Sequence, residues 1–268
     1  MSRAVVKLGG DVLAPPALQA VAGEIARALA AGHRLVLVHG GGPQATELSK
    51  RLGLEPRIVG GRRVTDEVTL DIMKMVVAGK LNVDLCAALR AAGVPAVGVS
   101  GSSGVIRAHR RPPRVVSGGG ADPVDFGFVG DVDGFDAELL HALEAAGRVV
   151  VIACLGGDDA AGAVLNINAD VVASQLAAAL RADALVACTA VGGVRRDKDD
   201  PASRLARLTV AEARAAIADG TVQGGMIPKL EEAFAPLAAG VGAVHIVAAD
   251  EIARSLDAPG SVGTLLVG

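Results

Sequence analysis

Aromatic residues are almost absent from this chain of 268 residues, which has four Phe and neither Trp nor Tyr. Proteins that bind single-stranded nucleic acid stack bases on aromatic side chains, and this sequence offers few of them. The formal net charge of -3 also lacks the basic excess that attracts nucleic acid or an anionic membrane. We therefore expect small-molecule partners, with no nucleic-acid and no membrane partner.

Cysteine is scarce as well. Cys86, Cys154 and Cys188 are odd in number, far apart and surrounded by apolar residues. This pattern argues against a disulfide or zinc framework and predicts reduced core thiols of a cytoplasmic protein. Because the chain enters a strand pattern at once, we expect no signal peptide.

A long uninterrupted hydrophobic run is also missing. The longest apolar stretch, at about 233–249, is broken by Pro236, Gly240, Gly242 and His245. Such breaks indicate the end of a helix, a turn and a strand rather than a membrane span.

Apolar residues make up 51% of the chain, and they fall in strand-like and helix-like segments that alternate. We predict strands at 3–8, 34–38, 94–99, 148–153, 184–188, 243–247 and 263–267, and helices at 17–31, from Pro43, 66–78, 80–92, 136–146, 170–181, 209–218 and from about 228. Strands separated by helices favour a mainly parallel central sheet covered on both faces. The predicted fold class is thus α/β, a three-layer α/β/α sandwich.

Two segments differ from this alternation. An Arg-rich stretch at 57–64 indicates a hairpin, and the Gly- and Pro-rich segment 101–134, with its Gly118-Gly119-Gly120 run, indicates irregular hairpins on the edge of the sheet. A glycine cluster suggests a boundary near 155–165 between two lobes, 1–160 and 161–268.

Two strands end in glycines where a helix should begin, at Lys7-Leu8-Gly9-Gly10 and at His39-Gly40-Gly41-Gly42. Such turns expose backbone N–H groups to an anion, although tight strand-to-helix turns would look the same. The sequence contains neither the P-loop pattern nor a dinucleotide-binding glycine pattern between a strand and a helix. An anion site here must therefore be of another kind.

Two further segments add chemistry. Gly224-Gly225 and Pro228 precede Lys229 at the start of a helix, so amides and an ammonium group point to one region. Asn166, Asn168 and Asp170 alternate, which fits polar side chains on one strand face followed by a carboxylate at a helix start. An Asx turn with an N-cap explains the same pattern equally well.

Six segments in order resemble the amino acid kinase family over nearly the whole chain. They are Lys7–Gly10, His39–Gly42, Gly61–Asp66, Gly127–Asp131, Asn166–Asp170 and Gly224–Lys229. Within the family, the resemblance is closest to members that phosphorylate N-acetyl-L-glutamate in arginine biosynthesis. It implies transfer of a phosphoryl group from ATP to the γ-carboxylate, with Mg²⁺ arriving on the ATP and no tightly held metal.

The resemblance also implies roles for individual residues. Lys7, Lys229 and Asp170 would be catalytic, with Asp170 orienting both ammonium groups, and Gly9 and Gly10 would contact the phosphoryl group. The acyl-amino acid would contact Gly41, Gly42, Arg63 and Asn166, whereas Arg62 is interpreted as a solvated charge. The nucleotide would contact Thr189, Val191, Gly192, Gly193, Val194, Gly225 and Met226. The N-terminal lobe would bind the acceptor and dimerise, and the C-terminal lobe would bind ATP.

The chain departs from the family pattern in two places. The family usually has Thr-Asp-Val where this chain has Thr189-Ala190-Val191, so a carboxylate near the nucleotide is missing. The N-terminal helix of arginine-inhibited hexameric relatives is also missing, so we expect a homodimer insensitive to arginine. Two alternatives stay open: a kinase for another N-acyl amino acid, such as N-succinylglutamate or a carrier-linked aminoadipate, and a non-catalytic amino-acid sensor.

Overall fold

The computed structural model describes residues 1–116, 120–197, 200–224 and 226–268. Its strands are Arg3–Leu8 (β1), Arg34–His39 (β2), Ile58–Val59 (β3), Arg62–Arg63 (β4), Ala96–Ser100 (β5), Ile106–Arg110 (β6), Gly130–Phe135 (β7), Val149–Ala153 (β8), Leu155–Asp158 (β9), Ala163–Asn166 (β10), Ala184–Cys188 (β11), Arg207–Thr209 (β12), Ala243–Val247 (β13) and Thr264–Val267 (β14). Its α-helices are Ala17–Ala30 (α1), Gly42–Arg51 (α2), Glu67–Met73 (α3), Asn82–Ala91 (α4), Ala137–Ala145 (α5), Ala169–Ala179 (α6), Val210–Ala218 (α7), Met226–Ala238 (α8) and Ile252–Asp257 (α9). A π-helical segment, Lys74–Leu81, joins α3 to α4.

The central sheet has eight strands in the order β12-β14-β13-β11-β1-β2-β8-β5. All neighbouring pairs are parallel except β13 and β14, which are antiparallel. The mainly parallel sheet predicted from the sequence is therefore confirmed. The sequence did not predict strand β12, which forms one edge of this sheet, or helix α9, which packs with α1.

Helices cover both faces of the sheet. The alternation of β1 shows how the layers divide, because Ala4, Val6 and Leu8 pack into one hydrophobic cluster with α1 and α9. Val5 packs into the other cluster, with α6 and α8. Successive strand residues point to opposite faces, so Lys7 lies on the same face as Val5. The three-layer sandwich is confirmed, and it directs Lys7 towards α6 and α8.

A second sheet of four strands, ordered β10-β9-β6-β7, lies beside the first. The predicted hairpin pairing in 101–134 is confirmed for β6 and β7, which are antiparallel. Its placement on the edge of the main sheet was wrong, because both strands belong to the second sheet. Strand β6 also pairs with β9, at Arg107 and Gly157, so this sheet depends on a partner some 50 residues away along the chain. Gly118 and Gly119 lie outside the described residues.

The segment predicted as two separate helices, 66–78 and 80–92, is one continuous helical run. Asp66 caps its start by accepting a hydrogen bond from the Thr69 amide. The expected break at Gly79 does not occur, because the π-helical segment carries the chain through it. In the described ranges, no helix is long and apolar enough to cross a membrane.

Candidate active site

Lys7 and Asp170 form an ion pair at the carboxyl end of the central strands. Lys7 Nζ lies 2.7 Å from Asp170 Oδ1, and their side chains are 14% and 28% exposed. Burial lowers the pKa of Lys7, but the charge and hydrogen bond of Asp170 outweigh it, so the pKa is raised overall. The Lys7 ammonium group therefore stays charged at neutral pH.

Asp170 lies in the first turn of α6, and the start of this helix fixes its position. Asn168 is the N-cap of this helix, and its side chain accepts a hydrogen bond of 2.7 Å from the Asp170 amide. Asn166 ends β10, whereas Asn168 lies outside that strand, so the two side chains do not share a strand face as predicted. The Asx-type cap is confirmed for Asn168, because a helix start needs a side-chain acceptor for its free amides.

Lys229 lies across a cleft of 260 Å³ from the Lys7–Asp170 pair. It is half-buried in the first turn of α8. Thr189 and Pro228 line the same cleft, which we call the donor cavity. Across the described ranges, Asp170 pairs with Lys7 and is not within ion-pair distance of Lys229. The orienting of both ammonium groups by Asp170 thus remains a prediction.

A larger cleft of 630 Å³, which we call the acceptor cavity, is also lined by the ion pair. Its lining includes every residue that the sequence placed against the acceptor: Gly41, Gly42, Arg63 and Asn166, together with Gly9 and Gly10. Asn166 Nδ2 donates to Thr65 Oγ1 at 3.1 Å. The structure thus brings residues from four separate segments around one space.

The Arg63 guanidinium group lies in this cavity with one of its two terminal nitrogens hydrogen-bonded. Its Nη2 donates to the Gly42 carbonyl at 3.0 Å and to Thr46 Oγ1 at 2.6 Å. Its Nη1 is buried and has no hydrogen-bond partner among the residues that the structure describes. Burial also lowers the pKa of Arg63. A buried guanidinium donor without a partner fits a carboxylate ligand.

The glycines allow close approach in this cavity. A Cβ on Gly41 would lie 2.4 Å from Leu81 Cδ1 of the π-helical segment, and one on Gly10 would lie 2.8 Å from Pro43 Cδ. The amide of Gly9 donates to the Cys188 carbonyl at 3.3 Å, so this N–H is already engaged. Gly10 and Gly41 are the better placed of the three to offer an amide to a phosphoryl group.

The predicted nucleotide residues do not all reach the donor cavity. Thr189 lines it, whereas Val191, Gly192, Gly193, Val194 and Met226 do not. Val194 is fully buried, and its amide donates to Thr264 Oγ1 at 2.8 Å. Gly225 lies outside the described residues. Contacts of this loop with a nucleotide stay a prediction.

A carboxylate from another segment contacts the loop at Ala190, where the sequence itself carries none. Asp11 Oδ2 accepts a hydrogen bond of 2.8 Å from the Ala190 amide. Asp11 directly follows Gly9 and Gly10, so this bond joins the phosphate-side turn to the 189–194 loop. The sequence gives no local signal for this contact, because 179 residues separate the two partners.

Sequence reasoning also missed Glu232. It follows Lys229 by three residues on α8, and residues three apart share a helix face, which is a signal that could have found it. Among the described residues, three line both cavities: Lys7, Asp170 and Glu232. The donor and acceptor cavities therefore meet at these side chains. Two ligands bound in them would face each other there, which is the geometry of a group transfer.

The comparison with known families decides the relationship. A sequence profile described as "Amino acid kinase family" matches residues 2–248. The chain belongs to the amino acid kinase family. The glycine turns, the ion pair and the second lysine all lie within the matched residues.

Similar curated members of this family include acetylglutamate kinases. The chain is 55% identical to that of Anaeromyxobacter sp. (strain K), with all of both chains covered. It is 54% identical to that of Sorangium cellulosum, covering 98% of this chain and 94% of the relative. It is 44% identical to that of Methanopyrus kandleri, covering 88% and 91%.

Solved structures of the amino acid kinase fold are also similar. N-acetylglutamate synthase from Neisseria gonorrhoeae, complexed with coenzyme A and N-acetyl-glutamate, matches with a TM-score of 0.83 and 26% identity. All of this chain is covered, but it spans only 59% of that longer protein. Carbamate kinase from Giardia lamblia matches with a TM-score of 0.71 at 18% identity over 99% of this chain and 98% of that one, which supports the fold alone.

Proposed function

We propose that this protein transfers a phosphoryl group from MgATP to the γ-carboxylate of N-acetyl-L-glutamate, giving N-acetylglutamyl 5-phosphate for arginine biosynthesis. The observation that carries the proposal is the meeting of two cavities at the Lys7–Asp170 ion pair. The full-length similarity to acetylglutamate kinases supports this choice of acceptor.

In the reaction, a γ-carboxylate oxygen forms a bond to the γ-phosphorus as the bond from that phosphorus to the β,γ-bridging oxygen breaks. The electron pair of the broken bond goes to the β-phosphate, and ADP leaves. Such transfers need positioning and charge neutralisation more than covalent help. Lys7 would neutralise the transferring group from the acceptor side, and Lys229 would neutralise the leaving β-phosphate.

The acceptor cavity would orient N-acetylglutamate between two anchors. Arg63 would bind the α-carboxylate, because its buried Nη1 has a donor to spare. Asn166 would hold the acylamino group, and Gly41 and Gly42 would lie against the acceptor. The amides of Gly10 and Gly41, with Gly9 beside them, would complete the contacts to the phosphoryl group.

The nucleotide would enter from the donor cavity. Its phosphates would lie between Lys229 and Thr189, with the 189–194 loop and Met226 around the base and ribose. Mg²⁺ would come with ATP as part of the substrate, since divalent magnesium favours substrate phosphates and retained water. In this arrangement residues 1–160 bind most of the acceptor, with Asn166 added from the other lobe, and residues 161–268 bind ATP.

The test is ATP-dependent acyl-hydroxamate formation, measured in parallel with N-acetylglutamate, N-succinylglutamate, glutamate and aspartate. We expect product with N-acetylglutamate and little with the other three. Preference for N-succinylglutamate would favour the alternative acyl group. No product with either N-acylglutamate would contradict the proposal and favour a non-catalytic sensor.

We also propose that the protein works as a homodimer in the cytoplasm. Exposed apolar side chains follow the helical run from α3 to α4: Val68 and Met75 are each 54% exposed and Val83 is 63% exposed. A second copy of the chain that packs along this helical run would cover all three side chains. Sedimentation analysis of the wild type and Met75→Lys tests this, and a wild-type monomer would contradict it.

A further inference from the structure

Glu232 occupies a place in this site that the proposed mechanism leaves unused. With Lys7 and Asp170, it lines both the donor and the acceptor cavity. Its neighbour on α8, Glu231, is exposed and lines neither cavity. The carboxyl group of Glu232 therefore lies where a phosphoryl group would pass from one cavity to the other.

Charged groups from four elements face Glu232. Asp170 faces it from α6, Lys7 from β1, Lys229 from α8 and Arg62 from β4. Although the residue is open to solvent at the cleft mouth, the cleft walls partly desolvate its carboxyl group. This desolvation and the Asp170 charge raise the pKa of Glu232 to about 7, against the opposing effect of the three cations.

The two forms of Glu232 would treat a phosphate in opposite ways. A carboxylate carries only acceptors and repels the phosphate charge, whereas a carboxylic acid carries an O–H donor. A phosphate oxygen at the junction can accept that hydrogen bond. Because the pKa of Glu232 is about 7, its acid form is well populated at neutral pH. Binding of a phosphate to that form therefore requires little free energy for protonation.

We propose that Glu232 is a further phosphate-binding residue, which in its neutral acid form donates a hydrogen bond to a phosphate oxygen of the nucleoside triphosphate at the junction of the cavities. This rests on the proposed function, because the triphosphate is the phosphoryl donor of that reaction. Lys7 and Lys229 supply charge at the same place, and Glu232 adds a directed donor.

The sign of the pH dependence follows from linkage. Binding to the acid form raises the pKa of Glu232 in the complex, so the protein takes up a proton when ATP binds above pH 7. The Kd for MgATP is then constant at lower pH and rises as the pH increases. If only the acid form binds, the rise from pH 7 to 8 approaches about fivefold.

Titration calorimetry of the full chain with ATP and saturating magnesium, without acceptor, tests the proposal. Measurements in buffers of different ionisation enthalpy give the number of protons taken up at pH 8, above the range in which the terminal phosphate titrates. The variants are Glu232→Gln, which keeps an N–H donor but does not titrate, Glu232→Ala, which has neither property, and the matched control Glu231→Gln.

We expect proton uptake and a rising Kd for the wild type and for Glu231→Gln. Glu232→Gln should take up no proton and keep a Kd that is constant from pH 7 to 8, and Glu232→Ala should be equally constant but several-fold weaker. Proton uptake that persists in Glu232→Gln, or equal affinities of the Gln and Ala variants, would overturn the inference alone. A wild type that does not bind MgATP would overturn the proposed function together with it.

Discussion

Asp11 Oδ2 lies 2.8 Å from the Ala190 amide and accepts its hydrogen bond. The contact joins the turn that follows β1 to the loop that follows β11, the two segments that border the nucleotide in the proposed function. A carboxylate thus reaches the loop from another part of the chain.

Removing this carboxylate should weaken ATP binding. We expect Asp11→Ala to raise the KM for ATP about threefold to tenfold, because one hydrogen bond that orders the loop is lost. Asp11→Asn keeps an acceptor oxygen and should stay near the wild type. If the double variant Asp11→Ala/Ala190→Asp restores the KM for ATP, the carboxylate can be supplied from either segment. An unchanged KM for ATP in Asp11→Ala would contradict the role of Asp11 in ordering the loop.

Lys7 should matter for turnover more than for folding. Lys7→Ala removes a charge beside the transferring group, and loss of one such preorganised donor lowers kcat by roughly 10²–10³-fold. Lys80→Ala serves as the control, because Lys80 pairs with Asp84 on an exposed helix surface. Steady-state kinetics with unfolding curves separate the two effects, and near-normal kcat in Lys7→Ala would refute its assignment.

The acceptor carboxylate should depend on the shape of Arg63. Arg63→Lys keeps the charge but loses the planar fork, so we expect the KM for N-acetylglutamate to rise about tenfold or more while the KM for ATP changes little. Arg57→Lys serves as the control, because Arg57 lies on the same hairpin but is exposed and lines neither cavity. Equal effects of the two substitutions would argue against a carboxylate contact by Arg63.

Gly41 and Gly42 are adjacent glycines that differ in the space available for a Cβ atom, so substitutions at the two positions can be compared. A Cβ at position 41 would lie 2.4 Å from Leu81 Cδ1, whereas one at position 42 would meet nothing within 4 Å. Leu81 is only 3% exposed and has little space to move. Gly41→Ala should therefore lower the free energy of unfolding by about 1–3 kcal/mol, and Gly42→Ala should leave it within about 0.5 kcal/mol. Urea unfolding of both variants checks the contrast.

Stability should fall in mild acid because of a buried histidine. His245 is 4% exposed in β13, and burial lowers its pKa to about 4. In the unfolded chain this histidine binds a proton near pH 6.5, whereas in the folded chain it stays neutral down to about pH 4. Its contribution to the free energy of unfolding is therefore full above pH 6.5 and is lost as the pH falls towards 4. From pH 6.5 to 5 the wild type should lose about 2 kcal/mol more than His245→Gln. Parallel curves for the two proteins would contradict this.

The sequence by itself determined most of the secondary structure and the order of the layers. Alternating apolar strands and amphipathic helices depend on local periodicity, so β1, α1, β2 and β11 begin and end close to their predicted bounds. The glycine turns could also be located, because a glycine run after an apolar strand marks a tight strand-to-helix turn.

Only the tertiary structure decided what these segments contact. The second sheet depends on pairing between β6 and β9, and the Asp11–Ala190 bond joins residues 179 positions apart, so no local pattern encodes either. Glu232 acquires its place only when α8 packs beside β1 and α6, because the junction of the cavities belongs to three elements at once. Local propensity fixes the elements, and the long-range packing of their side chains fixes the site.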